Sequence, residues 1–284
     1  MADRADGRRR AAVIGHPVAH SRSPAMHTAA YRELGLDWEY TAIDVPPPQL
    51  NAFIAGLDAG GFAGVNVTIP HKQAVLDLCD ELSGDARRAG SVNTVLVRDG
   101  RLRGETTDGA GLLWALGPLE PADALVLGAG GAARAAVAAL TAAGWRVAVS
   151  ARRPEAAAEL GVAVQPWPPA EASTLVVNAT PMGQQEAGTV PDQVPGTAQA
   201  VTGTGLALPE KLIRPGMVVC DLAYRGDGMP TALIEAAVAH GARAVDGLDV
   251  LVGQGIAAFE LLTGIAAPVE VMRAAARGET APGR

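Results

Sequence analysis

Ala124-Leu125-Val126-Leu127-Gly128-Ala129-Gly130-Gly131-Ala132-Ala133 is the stretch whose reading decides the fold. Four apolar residues make a buried strand. The G-x-G-x-x-A run Gly128–Ala133 follows at once and opens an alanine-rich helix to about Ala143. Glycines at these places permit a tight turn and bring a pyrophosphate close to the helix N-terminal amides. A bare pattern match says little, but this one has the strand–turn–helix context that dinucleotide binding requires; the alternative is a plain tight turn. The next strand, Trp145–Ser150, runs into Ala151-Arg152-Arg153. No acid stands where an NAD ribose hydroxyl would be held. Two guanidiniums stand where a 2′-phosphate would lie, and arginine binds phosphate bidentately, which favours NADP over NAD.

Working outward from that turn, Leu175–Asn178, Val218–Leu222 and Ala242–Asp246 read as further strands, with a helix Met229–His240 between the last two. Gln184–Pro209 is rich in Gly, Pro and Thr and long for a connection inside a compact domain. Gly247–Thr263 and Val269–Arg277 read as closing helices. Toward the N-terminus, strands Ala11–Ile14, Trp38–Val45 and Gly64–Ile69 alternate with helices Ala25–Leu34 and Gln49–Ala59, the pattern of a mostly parallel sheet. Ser23-Pro24 reads as N-cap and first helical residue. Ser91–Arg98 and Arg101–Arg103 form a hairpin around Asp99-Gly100, a two-residue turn signal.

At 284 residues the chain suits two domains. A net charge of −7 without a basic stripe argues against a nucleic-acid partner; the short run Arg8–Arg10 reads as a solvated tail. Ala11–Ile14 is too short for the core of a signal peptide, and no stretch approaches the ~18 apolar residues of a membrane span. Two cysteines, Cys79 in a helical pattern and Cys220 in a strand, look like small core residues, with no metal site. These features imply a cytoplasmic protein without a membrane partner.

Asn66-Val67-Thr68-Ile69-Pro70-His71-Lys72 reads as a strand that stops at Pro70 and turns into a helix Gln73–Leu82. That would put Lys72 near a helix N-terminus, where the dipole disfavours a cation and where amides attract an anionic or carbonyl-bearing ligand. A solvated surface lysine is the alternative. Gly104-Glu105-Thr106-Thr107-Asp108-Gly109 leads into a helix beginning near Ala110, so Asp108 sits where that dipole favours a carboxylate and makes a partner for Lys72.

These motifs, in this order, resemble the shikimate dehydrogenase family over nearly the whole chain. The matching stretches are Gly15–Pro24, Asn66–Lys72, Ser91–Thr94, Thr107–Gly109, Gly128–Ala133, Asn178–Gly183, Asp221–Tyr224 and Gly247–Gln254. The resemblance implies an α/β protein of two domains with a cleft between them. A Rossmann-type NADP-binding domain, 111–246, would be inserted in an α/β substrate-binding domain, 1–110 with 247–284. The activity implied is NADP-dependent reduction of 3-dehydroshikimate to shikimate, toward the aromatic amino acids, with Lys72 and Asp108 as the catalytic pair. Ser21 and Ser23 would hold the substrate carboxylate. Asn66, Thr68, Asn93 and Gln254 would contact ring hydroxyls, and Tyr224 would lie near carboxylate and nicotinamide. Gly128, Ala129, Gly130, Gly131, Ala132, Arg152, Arg153, Asn178, Thr180, Met182, Leu222 and Gly247 would line the NADP(H) site, with no metal. The partner implied is the small-molecule substrate, shikimate or 3-dehydroshikimate, on a monomer or homodimer. Three positions depart from the family pattern: Thr106 replaces the usual Asn, Ala151-Arg152-Arg153 replaces Asn-Arg-Thr, and Arg225 replaces a common proline. The rival readings are a quinate or quinate/shikimate dehydrogenase, and a paralogue that senses shikimate without turning it over.

Overall fold

The computed structural model describes residues 9–183 and 206–279. The expected loop therefore lies outside the described residues over 184–205, and so does Arg8. The chain divides into two compact units, 9–107 with 252–279 and 108–251 without the undescribed segment. Unit 1 contains β1 (Arg9–Gly15), α1 (Ser23–Glu33), β2 (Trp38–Asp44), α2 (Leu50–Ala55), β3 (Phe62–Val67), β4 (Glu81–Leu82), α3 (Gly84–Ala89), β5 (Thr94–Arg98) and β6 (Arg101–Glu105). Unit 2 contains α4 (Asp108–Leu116), β7 (Asp123–Leu127), α5 (Gly131–Ala142), β8 (Arg146–Ser150), α6 (Pro154–Ala158), β9 (Ala163–Gln165), β10 (Leu175–Asn178), β11 (Val218–Asp221), α7 (Ala232–Ala239) and β12 (Arg243–Val245). α8 (Gly247–Thr263) crosses the division after Leu251, and α9 (Val269–Arg277) closes unit 1.

The sheet of unit 2 runs β12-β11-β10-β7-β8-β9, all parallel. That is the doubly wound order with its reversal between the first strand, β7, and the fourth, β10. The central strands are apolar on both faces between their ends, because both faces are covered. Alternate residues point to opposite faces: Ala124, Val126, Leu175, Val177 and Cys220 join one cluster, Leu125, Leu127, Val176 and Val219 the other.

Unit 1 is built on a mixed sheet, β2-β1-β3-β5-β6-β4. β1 pairs in parallel with β2 and β3, but β3–β5 and β5–β6 are antiparallel. Ala12, Ile14, Val65, Val67, Val95 and Val97 face one apolar cluster with Leu50, Ile54 and Leu57. On the sheet's other side, α1 packs against α9. The expected hairpin is present: Arg98 pairs with Arg101, and Asp99 and Gly100 have φ of 51° and 76°. Positive φ at both central residues is the turn whose twist suits paired strands.

The structure overturns the helix expected over Gln73–Leu82. A loop, one 3-10 turn at Leu76–Leu78 and the short β4 occupy that stretch. The Lys72 carbonyl accepts from the Val92 amide at 2.8 Å, so it is not free to bond four residues on. Glu81 and Leu82 pair instead with Arg103 and Gly104. Cys79 thus follows a 3-10 turn and is half-buried, while Cys220 is buried in β11.

Candidate functional site

In unit 1 the carboxyl ends of β1 and β3 meet closely. A Cβ on Gly15 would stand 2.5 Å from Thr68 Cγ2 and 2.9 Å from the Ile69 carbonyl, so only glycine fits. The Thr68 amide donates to Ile14 O at 2.8 Å and leaves the residue at the strand end, half-buried. Lys72 stands four residues further on, half-buried, in a loop rather than at an α-helix N-terminus. What fixes that loop is His71, buried, whose Nε2 donates to the Val45 carbonyl at 2.6 Å. A dipole argument for Lys72 therefore fails; its backbone is held by His71 on one side and Val92 on the other.

Ser23 is not the N-cap of α1. It is the first residue of the helix, preceded by Arg22, whose side chain makes no capping bond. The Ser23 amide donates to Ser21 Oγ at 3.3 Å, so Ser21 takes the capping role while Ser23 is buried. From Tyr40 a run of polar side chains crosses the face of the sheet. The Tyr40 hydroxyl donates to Asn66 Oδ1 at 2.6 Å. Asn66 Nδ2 donates to Thr94 Oγ1 at 2.9 Å, and Thr94 donates to Asn93 Oδ1 at 3.1 Å. Asn93 Nδ2 donates to Thr107 Oγ1 at 2.9 Å and lies 3.3 Å from Gln254 Oε1. Three of the residues expected to touch substrate, Asn66, Asn93 and Gln254, thus belong to one hydrogen-bonded set. Tyr40, Thr94 and Thr107 complete it; Thr94 and Thr107 stand inside matching stretches but are not among the expected site residues, and Tyr40 lies outside all of them. Thr106, the departure from the family pattern, buries its Oγ1 without a hydrogen-bond partner.

In unit 2, Gly128 has φ +112°, and a Cβ there would stand 3.0 Å from the Ala179 carbonyl, so β7 and the loop after β10 are in backbone contact. A Cβ on Gly130 would meet nothing within 4 Å, which leaves the mouth of α5 open beside Ala129. Gly130 begins α5 with no side-chain cap, and Gly131 and Ala132 form its first turn. Ala133 is fully buried, as the third position of the pattern requires for close helix–strand packing. The Gly128 amide donates to Ser150 O at 2.9 Å, tying this turn to the end of β8, beyond which Arg152 and Arg153 are exposed. Open space at a glycine, uncapped amides and two exposed guanidiniums fit a dinucleotide carrying an extra phosphate.

The ends of β10 and β11 converge on a carboxylate that the sequence reading did not single out. Asp221 is fully buried and accepts from Asn178 Nδ2 at 2.8 Å, the Ala223 amide at 3.0 Å and Thr231 Oγ1 at 2.5 Å. Burial pushes its carboxyl up to about 6, against the three donors. Asn178 is committed too: its Oδ1 accepts from the Thr180 amide and hydroxyl at 3.0 and 2.7 Å, and its Nδ2 reaches the Met182 carbonyl at 3.3 Å. Its side chain therefore shapes the Thr180–Met182 turn. Leu222 and Tyr224 are half-buried in the loop after β11. Gly247 is pressed on that loop, since a Cβ there would stand 2.4 Å from Ala223 O and 2.9 Å from Leu222 O. Asp108 opens α4, in the first turn as expected. Among the described residues no group of three or more His, Cys, Asp or Glu could hold a metal, and no helix is long and apolar enough to cross a membrane.

The strand order of unit 2, with a glycine turn at its reversal point, defines a protein of the doubly wound dinucleotide-binding class. Residues 13–95 match the model of the shikimate dehydrogenase substrate binding domain, and residues 247–277 that of the shikimate 5'-dehydrogenase C-terminal domain. The chain is 42% identical to shikimate dehydrogenase (NADP(+)) of Rubrobacter xylanophilus, over 94% of this chain and 95% of that one. It is 44% identical to shikimate dehydrogenase (NADP(+)) of Anaeromyxobacter sp. strain Fw109-5, over 96% of each. Among solved structures it resembles shikimate 5-dehydrogenase from Thermus thermophilus in complex with NADP(H) and shikimate. The TM-score is 0.82 at 40% identity, over 95% of this chain and 98% of that one. The chain belongs to the shikimate dehydrogenase family.

Proposed function

We propose that this chain catalyses the reversible NADPH-dependent reduction of 3-dehydroshikimate to shikimate, toward the aromatic amino acids. The observation that carries this is similarity at 40% identity, along 95% of the chain, to an enzyme bound to both NADP(H) and shikimate. Bound NADPH supplies hydride to the C3 carbonyl carbon. Every other task falls to the chain. Lys72 and Asp108 exchange one proton with the carbonyl oxygen, as a pair rather than as two separate titrations. Support for Lys72 comes from the anchoring of its loop by His71 and Val92, which fixes the stem from which an ammonium extends.

We assign ring-hydroxyl recognition to Asn66, Thr68, Asn93 and Gln254, and the carboxylate to Ser21 and Ser23 with Tyr224. Buried amides reject a ligand that leaves them unpaired, which gives such a site its selectivity. Cofactor binding falls to the Gly128–Ala132 turn, to Arg152 and Arg153 at the 2′-phosphate, and to the Thr180–Met182 turn with Leu222 and Gly247. Asn178 acts there through the turn it holds. Unit 1 accordingly carries substrate recognition apart from Tyr224, and unit 2 the cofactor, in a monomer or homodimer of the cytoplasm.

Steady-state rates with shikimate and quinate, each with NADP and NAD, test this reading. The expected result is turnover of shikimate with NADP well above the other three combinations. Binding without turnover in every combination would overturn the enzyme assignment. Preference for NAD would overturn the role given to Arg152 and Arg153, and preference for quinate would shift the substrate.

A further inference from the structure

Tyr40 lies on β2, two strands from Asn66, and reaches it over the small partner that β1 offers. Tyr40 pairs with Ala11 in the β1–β2 ladder, and Asn66 pairs with Val13 in the β1–β3 ladder. Tyr40 donates to Asn66, Asn66 to Thr94, Thr94 to Asn93, and Asn93 Nδ2 to Thr107 and to Gln254 Oε1. The Thr107 backbone amide donates to Asn93 Oδ1 at 2.8 Å, and because an N–H can only donate, it orients Asn93 and with it the far end of this line. Tyr40 closes the near end, at Asn66 Oδ1.

The surroundings of Tyr40 hold that near end. His27 stacks on its ring, with centroids 4.2 Å apart and planes 8° from parallel, and holds the phenol in place. His27 is buried, and neither ring nitrogen has a hydrogen-bond partner, so it does not compete for the phenolic proton. The Tyr40 proton goes to Asn66 Oδ1. If the Asn66 amide turned over, its Oδ1 would face Thr94, take the proton that Thr94 gives to Asn93, and break the chain at its third link.

We propose that Tyr40 is a positioning residue for substrate recognition: by donating to Asn66 Oδ1 it holds the Asn66 carboxamide in the orientation that the line anchored at Asn93 requires, and with it which polar atoms Asn66 presents to ring hydroxyls. This rests on the assignment of Asn66, Asn93 and Gln254 to substrate, made above. Tyr40 touches no substrate itself; it acts through Asn66.

The test uses the full-length enzyme with steady-state kinetics in shikimate. Tyr40→Phe keeps the ring and the stack on His27 but removes the proton. The expected result is a KM for shikimate raised about fivefold to tenfold, the scale of one lost hydrogen bond, with kcat changed less than twofold and the Kd for NADP unchanged. Thr94→Val, breaking the second link, should give a similar rise, and the double variant no more than the larger single one. Thr94→Ser keeps the hydroxyl and should keep the wild-type KM. A KM unmoved by Tyr40→Phe, multiplication of the two effects, or a rise in Thr94→Ser equal to that in Thr94→Val would each overturn the proposal. Asn66→Ala separates the two levels. If it leaves KM unchanged, the assignment of Asn66 to substrate fails; if it raises KM while Tyr40→Phe does not, the positioning role alone fails.

Discussion

In unit 1 one set of buried polar side chains is uncharged and strung in a line, from Tyr40 through Asn66 and Asn93 to Gln254. In unit 2 another set surrounds one carboxylate, Asp221, which collects donors from β10, from the loop after β11 and from Thr231, the N-cap of α7. A neutral line has a direction, and so specifies the orientation of each amide. A carboxylate with three donors has no direction to choose, because it only accepts; it fixes three chain segments at one point and brings sensitivity to pH. The two units thus hold their strand-end loops by different means, one suited to reading a hydroxyl pattern and the other to clamping turns.

Removing each unit's key group breaks this comparison most directly. Lys72→Ala should lower turnover by roughly 10²–10⁴-fold, the range for a positioned acid–base group, with the NADP Kd unmoved, as stopped-flow single turnover and cofactor titration will read. Turnover within a few-fold of wild type would make Lys72 a bystander. Asp221→Ala should reverse the pattern. Three buried donors lose their acceptor, at roughly 1–3 kcal/mol for each group left unsatisfied, so the melting temperature falls and NADP binding weakens more than shikimate binding. Equal weakening of both would mean that Asp221 supports the whole fold rather than the cofactor turns.

The pH dependence sharpens the contrast, because the two units carry slopes of opposite sign. Burial raises Asp221 to about 6 from an ordinary 3.8, so between those values the folded state holds a proton the unfolded state has lost. Stability therefore falls as pH rises through that window. Burial lowers His27 to about 3 from an ordinary 6.5, so stability falls as pH drops from 6.5 toward 3. Each slope approaches about 1.4 kcal/mol per pH unit at full effect, and where the windows overlap they oppose each other. Relative to wild type, His27→Phe should gain stability as pH falls below 6.5, and Asp221→Asn should gain it as pH rises from 3.8 to 6. Melting curves of the variants and wild type across pH 4–7 check both signs; parallel curves would remove either group as a source. The smallest effect belongs to Thr106, whose buried hydroxyl bonds nothing. Thr106→Val should change stability by within about 0.5 kcal/mol, by urea denaturation, and a larger loss would reveal a partner for that hydroxyl.

Most of the fold was legible because its signals are local. The apolar strand before Gly128, the Asp99-Gly100 turn and the alternation of strands and helices each speak through neighbouring residues, and each is present. Glu81–Leu82 and Ala163–Gln165 were missed as strands because such short edge segments show no periodicity; Gly84–Ala89 and Pro154–Ala158 are too brief to read as helices. The expected helix after Lys72 failed on a tertiary fact, the Val92 amide that claims the Lys72 carbonyl. Tyr40 reads as an ordinary strand aromatic, since its partner is 26 positions away and becomes a neighbour only through the strand order β2-β1-β3. Asp221 stood inside a recognised stretch, yet nothing in the sequence says that Thr231 and Asn178 close on it.

The two cysteines fall one to each unit. Burial raises the Cys79 thiol to about 11, with Asp80 adding to the effect, and pushes the Cys220 thiol higher still, so neither offers thiolate at neutral pH while its surroundings stay closed. The molecule therefore carries its own pair of chemical reporters. Under an alkylating reagent, the mass tag on the Cys220 peptide times the opening of unit 2, while that on the half-buried Cys79 reads local exposure in unit 1, with no residue changed.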